Sequence, residues 1–358
     1  IVGVDIDTRA KQLAQFALLM KACSYVPEMA DCHVMPRVFD MPEPISEREM
    51  ENLKDTLPHF FLGGNTKVIK ETIEAVELLQ QAQELGSIMK FNVSEATRYA
   101  IKTAMENENA SQFSFYPHLK LMLALTEKYA TACMNPPYMG AGNMNPQLSK
   151  YVKDNYANSK ADLMTVFMQV AEDVILSHGK YSMINLPSWL FLSTFENLRR
   201  NIVSNYHIES LLHMGRGIFG IDWGSTAFVI GKYKSPLKGT YFRLHQRNFQ
   251  HIYYYHIEQL FLKAMNDSSF RYDFEMYREE NNVVEDNIEF IHSDNGLQIH
   301  YVSSQTEFNK IPGCPIGYWV SDNVLRIYNE PFIKENFIVK EGLKTGDNDR
   351  FIRQWNEI

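Results

Sequence analysis

Cysteine is scarce in this 358-residue chain: Cys23, Cys32, Cys133 and Cys314 are the only four, and no two form a C-x-x-C pair. That spacing excludes a zinc ribbon, and four unpatterned thiols make no disulfide framework. Cys32-His33 sets two ligand types side by side without partners nearby, so both read as structural and no metal is expected. No run of about 18 apolar residues occurs, which argues against a membrane helix. No secretory signal opens the chain, and with reduced thiols this fits a cytoplasmic protein. Positive charge is also in deficit, since the formal net charge is −8, the wrong sign for a protein coated in nucleic acid. A nuclease signature of the P-D-x-n-(D/E)-x-K type is absent as well.

What is present is enough apolar residue, 45% of the chain, for a substantial core, and a length that suggests two or three units. The charge is uneven. Between Lys180 and Leu260, nine Lys or Arg face four Asp or Glu, a local net of +5, interleaved with Tyr253, Tyr254 and Tyr255. A basic stretch of that kind suits a surface that tracks phosphates, or is simply a solvated face.

Tyr129 to Met134 is a short, mostly apolar run that stops at Asn135-Pro136-Pro137-Tyr138, the most informative four residues of the chain. A loop at the carboxyl end of a strand is where an α/β sheet places its chemistry. The exocyclic amine of a purine is a poor nucleophile because its lone pair is delocalised into the ring. A catalyst must therefore gather the amine hydrogens into acceptors and make the nitrogen more tetrahedral. Asn135 Oδ1 and the Pro136 carbonyl are two such acceptors. The paired prolines, with φ fixed near about −65°, hold them in place, and Pro137 has no N–H to compete for them. Tyr138 offers a flat face on which a base swung out of a duplex can stack. The same residues also make an ordinary stiff turn, so the flanks must decide.

Ile1 to Asp7 reads as a buried strand ending in carboxylates, with Thr8 capping a helix from about Arg9 through Ser24 whose inner face carries Leu13, Phe16, Ala17 and Met20. A carboxylate at such a strand end can accept hydrogen bonds from ribose hydroxyls, which nominates Asp5 and Asp7 as cofactor contacts. Further along, Lys160 to Ser177 has helical spacing and is expected to stop at His178-Gly179. Lys180 to Leu186 reads as a strand, Phe195 to Ser204 as a helix, and His207 to His213 and Thr226 to Tyr233 as strands. Such alternation predicts an α/β fold. Gly215-Arg216-Gly217-Ile218-Phe219-Gly220 fits G-x-G-x-x-G, but it leads into a strand, whereas a dinucleotide fingerprint must open a helix.

With Gly3-Val4-Asp5-Ile6-Asp7, Asn135-Pro136-Pro137-Tyr138-Met139-Gly140 and Lys160-Ala161-Asp162-Leu163, the chain resembles the S-adenosylmethionine-dependent DNA adenine-N6 methyltransferases. More narrowly it resembles the large methyltransferases of bacteriophage-exclusion (BREX) systems, through Pro187-Ser188-Trp189-Leu190-Phe191-Leu192-Ser193, Ile311-Pro312-Gly313 with Tyr318-Trp319, and the stretch from Gly342 to Arg350. The resemblance implies a mixed, doubly wound class I methyltransferase sheet with helices on both faces and an antiparallel last strand. It also implies S-adenosylmethionine as cofactor, and double-stranded DNA and other defence-system subunits as partners. In the family pattern Phe219 matches a second aromatic that packs on the flipped adenine away from Tyr138, with an ordinary core residue as the alternative. Asp162 matches an acidic position near the cofactor and would equally serve a helix N-terminus. Trp189 could be a substrate platform at the mouth, although Trp-Leu-Phe-Leu is apolar enough for burial. Asp40 and Ser87 are the two candidates for contacting the cofactor adenine.

The expected organisation is a cofactor-side part over 1–40, a helical insertion over 41–128, a catalytic part over 129–235, a connecting region over 236–340 and the start of a target-recognition domain over 341–358. The glycine-rich turn that precedes the first strand in the family is expected upstream of Ile1, so the chain reads as a fragment. Cytosine N4 and protein glutamine are alternative methyl acceptors for the same tetrapeptide, and a DNA-recognising defence component with methylation secondary is the alternative of another class.

Overall fold

The computed structural model describes residues 1–32, 34–63, 65–216, 218, 224–246, 252–275, 277, 296–328 and 330. Strand β1 (Val2–Val4) leads into α1 (Thr8–Tyr25), and β2 (Arg37–Phe39) returns parallel to β1 as a two-stranded sheet. Helices α2 (Glu47–Glu51), α3 (Leu53–Phe60), α4 (Thr66–Leu79), α5 (Ala82–Leu85), α6 (Glu95–Met105) and α7 (Tyr116–Thr126) follow. Between β2 and β3 the described residues hold only helices and turns, as the spacing of the insertion predicts. Then come β3 (Tyr129–Met134), α8 (Pro146–Asn155), α9 (Leu163–Val174), β4 (Ile175–Asn185), α10 (Glu196–Asn205), β5 (His207–Gly215), β6 (Ser225–Gly231), β7 (Gly239–Arg243) and α11 (Tyr254–Asn266). The short strands β8 (Arg271–Tyr272) and β9 (Leu297–Gln298), β10 (His300–Ser303) and α12 (Asp322–Ile327) complete the described chain.

The main sheet has six strands in the order β10-β7-β5-β6-β4-β3, and it is mixed. β3 runs parallel to β4 and β5 parallel to β7, while β6 lies antiparallel between β4 and β5 and β10 antiparallel to β7. The last strand of this sheet along the chain, β10, is antiparallel as expected, but a second antiparallel strand, β6, lies inside the sheet, and β1 with β2 forms a separate small sheet. Helices cover both faces unequally. On one face Tyr181, Met183, Phe228, Ile230 and Tyr241 pack against α9 and α10, and on the other α11 covers only the side formed by Phe242 and Leu244. There β3, β4 and β6 leave an open trough of about 490 Å³ lined by Cys133, Ser182 and Ile184 among others.

Helix α9 joins two cores because it is apolar on two sides. Leu163, Val166 and Val170 face the helical layer built by α3 to α8, whereas Met164, Met168 and Ala171 face the sheet. Its expected glycine stop is corrected: the helix ends at Val174 and β4 begins at the next residue, so His178, at φ 65°, and Gly179 lie inside the strand. Gly179 is required there because a Cβ would stand 2.9 Å from two carbonyl oxygens.

Two expectations for α1 are also corrected. Asp7 rather than Thr8 is the cap, accepting from the Arg9 and Ala10 amides at 2.6 and 3.3 Å. Leu13, Phe16 and Met20, expected on the inner face, are 68%, 61% and 56% exposed. The helix packs on β2 and the turn after it through its other side, and its apolar residues surround the axis too widely for one contact to bury them all.

Glu172, on α9, lies buried in the sheet-side core within reach of the hydroxyl of Tyr181, 3.5 Å away. Burial pushes its carboxyl up to about 7, against the hydrogen bond from Tyr206. A raised folded pKa means that the native state holds this proton more tightly than the unfolded chain does between about pH 4.5 and 7, so stability falls as pH rises through that window. Glu172→Gln should remove this slope and stabilise the protein above pH 7 by on the order of 3 kcal/mol. Urea unfolding of both proteins from pH 4.5 to 8 measures the difference, and parallel stability curves would refute the assignment.

Candidate active site

Parallel pairing of Met134 with Met183 sets Asn135 beside Ile184 at the carboxyl end of the sheet. Asn135 and Pro137 are exposed and Pro136 is buried, so the turn shows its carboxamide to the outside and roots one proline in the protein. The Tyr138 hydroxyl donates to the Ile184 carbonyl at 2.9 Å and stands 3.5 Å from Asn135 Oδ1. Tyr138 is half-buried against the sheet-side core, and that burial raises its hydroxyl pKa. The hydroxyl end of the ring is thus fixed.

The rest of the turn hangs on Asp162. One carboxylate oxygen accepts from the Met164 amide at 3.0 Å, capping α9, and from the Met139 amide at 3.3 Å. The Ala141 amide donates to the Ala161 carbonyl and the Leu163 amide to the Met139 carbonyl, closing a small bridge between Gly140 and Asp162. Burial raises the Asp162 pKa against the two backbone donors that favour the carboxylate.

A cavity of about 580 Å³ opens beside the turn, within the roughly 300–1,000 Å³ usual for small-molecule sites. Asp5 and Ile6, at the end of β1, form one wall and Asn135, Pro136 and Pro137 another. Glu84, Gly86, Ser87 and Ile88, from the insertion, form a third, and Phe167, Leu163 and Met139 supply apolar surface. Helix α8 braces the insertion wall from behind. Asn145 caps α8 through the Leu148 amide and hydrogen-bonds the Glu84 carboxylate, while the Tyr151 hydroxyl accepts from the Lys90 amide at 2.7 Å. The cavity therefore touches both the turn and the first acidic strand end, and a carboxylate stands on each of two walls.

The nominated residues fare differently. Asn135, Pro136, Pro137 and Asp5 line the cavity, and Tyr138 adjoins it. Asp7 and Asp162 are outside its lining and spend their carboxylates on helix caps, because each stands just before the first turn of a helix with unsatisfied N–H groups. Trp189 is fully buried, its ring 5.1 Å from Phe228, so a platform at the mouth is excluded by packing. Phe219 lies outside the described residues. Of the two adenine candidates, Ser87 lines the cavity, while Asp40 is held by Lys11 at 2.8 Å and does not. Glu84 was missed, since nothing in its helical surroundings distinguishes it from the neighbouring solvated glutamates.

Asp162 yields a discriminating experiment. Both amide bonds end on one oxygen, so Asp162→Asn keeps an acceptor there and should leave stability within a few tenths of a kcal/mol of the unaltered protein, whereas Asp162→Ala should cost about 1–2 kcal/mol, as lost caps do. Thermal melts report both. A large loss of stability in the Asn variant would make the charge, rather than the cap, its contribution.

Among the described residues no group of three or more His, Cys, Asp or Glu could hold a metal, and no helix is long and apolar enough to cross a membrane. Comparison with known proteins adds the following. All of the chain aligns with an adenine-specific methyltransferase PglX of Lacticaseibacillus casei (strain Zhang), at 30% identity over 378 residues and 28% of that protein's length. All of it also aligns with an adenine-specific methyltransferase BrxX of Escherichia coli O9:H4 (strain HS), at 26% identity over 391 residues and 29% of its length. The chain thus spans less than a third of these curated relatives. Among solved structures, the DNA-bound Type ISP restriction-modification enzyme LlaBIII is 12% identical with a TM-score of 0.39, over 75% of this chain and 19% of that one. The type I methyltransferase subunit from Streptococcus thermophilus is 12% identical with a TM-score of 0.33, over 71% and 64%. At such scores these likenesses add nothing to the assignment. The model of the Eco57I restriction-modification methylases matches residues 1–219, and to that family the chain belongs.

Proposed function

We propose that this chain is the core of a site-specific DNA adenine-N6 methyltransferase acting in phage defence or restriction-modification. The observation that carries the reading is the convergence of the Asn135 turn and Asp5 on one cavity. S-Adenosylmethionine, when bound, supplies an electrophilic methyl group on a sulfonium centre. Asp5 is placed to accept from its ribose hydroxyls, and Glu84 gives the facing wall a second carboxylate suited to a cationic ligand. The fit rests on volume and donor chemistry together.

On the substrate side, Asn135 Oδ1 and the Pro136 carbonyl accept the two amine hydrogens of a flipped-out adenine. This pulls the nitrogen lone pair out of conjugation where the electrophile is presented. Tyr138 stacks on the base, and its hydroxyl bond to Ile184 keeps the ring from turning away. Cys133 lines the trough, which Asn135 also borders, and is outside the lining of the cavity; the proposed direct transfer to the amine needs no covalent enzyme intermediate. The net basic stretch from Lys180 to Leu260 favours DNA over free nucleobase, and the adenine-specific activity named for the two relatives favours adenine over cytosine or glutamine. Double-stranded DNA and further defence subunits are the partners this reading entails.

Replacing Asn135 by Ala should lower transfer of tritiated methyl to DNA by at least ~10²-fold, the usual cost of losing one preorganised polar group. Cofactor affinity should stay within a few-fold. Tyr138→Phe should keep most activity because the stacking face survives, and Tyr138→Ala should lose base binding worth about 1–3 kcal/mol. Methyl transfer to DNA undiminished in the Asn135 variant, or transfer to glutamine peptides alone, would end this reading.

A further inference from the structure

The segment from Ile311 to Trp319 has no part in the cavity, yet it is built into the same end of the sheet with unusual care. Arg199 is completely buried, and its guanidinium donates to four backbone carbonyls: Trp189, Leu192, Gly313 and Cys314, at 2.7–3.3 Å. No carboxylate pairs with it among the described residues, so its work is to staple the turn after β4 to the turn before Trp319. The Ile316 amide adds a bond to the Leu190 carbonyl at 2.9 Å. The product is an aromatic cup. Phe191 meets Trp319 edge-on at 5.5 Å, Tyr318 meets it at 4.8 Å, and the Arg243 guanidinium lies over the Trp319 ring at 4.8 Å.

Arg243 sits in a row that crosses the sheet. Asn185 pairs with Thr226, Thr226 with His213 and His213 with Arg243; Asn185, His213 and Arg243 stand at or near the carboxyl ends of β4, β5 and β7, and Thr226 at the amino end of the antiparallel β6 between them. Tyr138 is bonded one residue before the start of that row, at Ile184. Three strand spacings put Arg243 about 14 Å away along the same edge, a span of a few nucleotides at about 3.4 Å of rise each. Arg243 is half-buried, its side chain donates one hydrogen bond, to the Gln246 carbonyl at 3.0 Å, and meets no carboxylate among the described residues. A guanidinium has five N–H donors, so most of its edge is uncommitted. The facing titratable groups do not compensate its charge. Burial keeps His213 neutral, with His245 and Arg243 itself adding to the effect, and the hydroxyls of Tyr301 and Tyr318 stay protonated.

We propose that Arg243, stacked on Trp319 and backed by Phe191, is a backbone-phosphate contact for the DNA strand that presents its target base at Tyr138. Stacking costs the arginine no charge and removes its rotational freedom, so the donor edge faces outward already oriented. Such a contact positions the strand without reading sequence. It rests on the proposed DNA substrate, and the test separates the two.

Binding of a fluorescein-labelled mixed-sequence duplex to the full chain, followed by anisotropy across a salt series, is the measurement. Arg243→Ala should weaken binding about tenfold and reduce the slope of log affinity against log salt by about one. Arg243→Lys, which keeps the charge but loses the planar stack, should retain the slope with intermediate affinity. Calorimetric affinity for S-adenosylmethionine should be unchanged in both, and methyl transfer at saturating DNA should recover while KM for DNA rises. If the unaltered protein binds duplex and Asn135→Ala abolishes methylation, yet Arg243→Ala keeps full affinity and slope, the phosphate contact is wrong and the active-site reading stands. If the unaltered protein binds no duplex at any salt, both fall.

Discussion

A single carboxylate oxygen, on Asp162, accepts a hydrogen bond from the start of α9 and another from the loop that follows Tyr138. With that shared acceptor in place, the Asn-Pro-Pro-Tyr turn is held from below by β3 and from the far side by the helix that separates the two cores. The turn is therefore held mainly by bonds to its surroundings. Within the turn itself the Asn135 carboxamide oxygen meets only the Tyr138 hydroxyl, at 3.5 Å, a long contact beside the 2.9 Å bond that hydroxyl gives to Ile184.

The same economy recurs further along the same end of the sheet. Arg199 binds four carbonyls from two turns and thereby fixes Phe191 and Trp319 without a rigid element of their own. On the cofactor side, α8 braces the insertion through Asn145, Tyr151 and Tyr156, so a segment far removed in sequence becomes a cavity wall. In each case polar side chains, from the buried Arg199 to the exposed Asn145, tie segments distant in sequence to one another.

Much of this could be read from residue order. The Asn-Pro-Pro-Tyr turn, the acidic end of the first strand and the helical insertion all follow from local pattern, since prolines, strand ends and 3.6-residue periodicity act over a few residues. Errors arose where two local signals competed. Thr8 lost the cap to Asp7 because the carboxylate stands one residue earlier, where the first free N–H groups point. His178-Gly179 looked like a helix stop but lies inside β4, because close approach of the neighbouring strand requires a glycine there just as a helix end would. Leu13, Phe16 and Met20 are apolar at helical spacing and still face outward, since periodicity gives a face but not what covers it.

The sequence by itself determined the family, the α/β alternation and the residues of the turn, because each is encoded within a dozen positions. Only the tertiary structure decided which carboxylates face the cavity, that Asp7 and Asp162 are caps, that Trp189 is core, and that Glu84 and Arg243 stand where ligands could meet them. The physical reason is that a carboxylate or guanidinium has the same chemistry anywhere in a chain. What it does is set by the groups that long-range packing brings within about 3 Å of it.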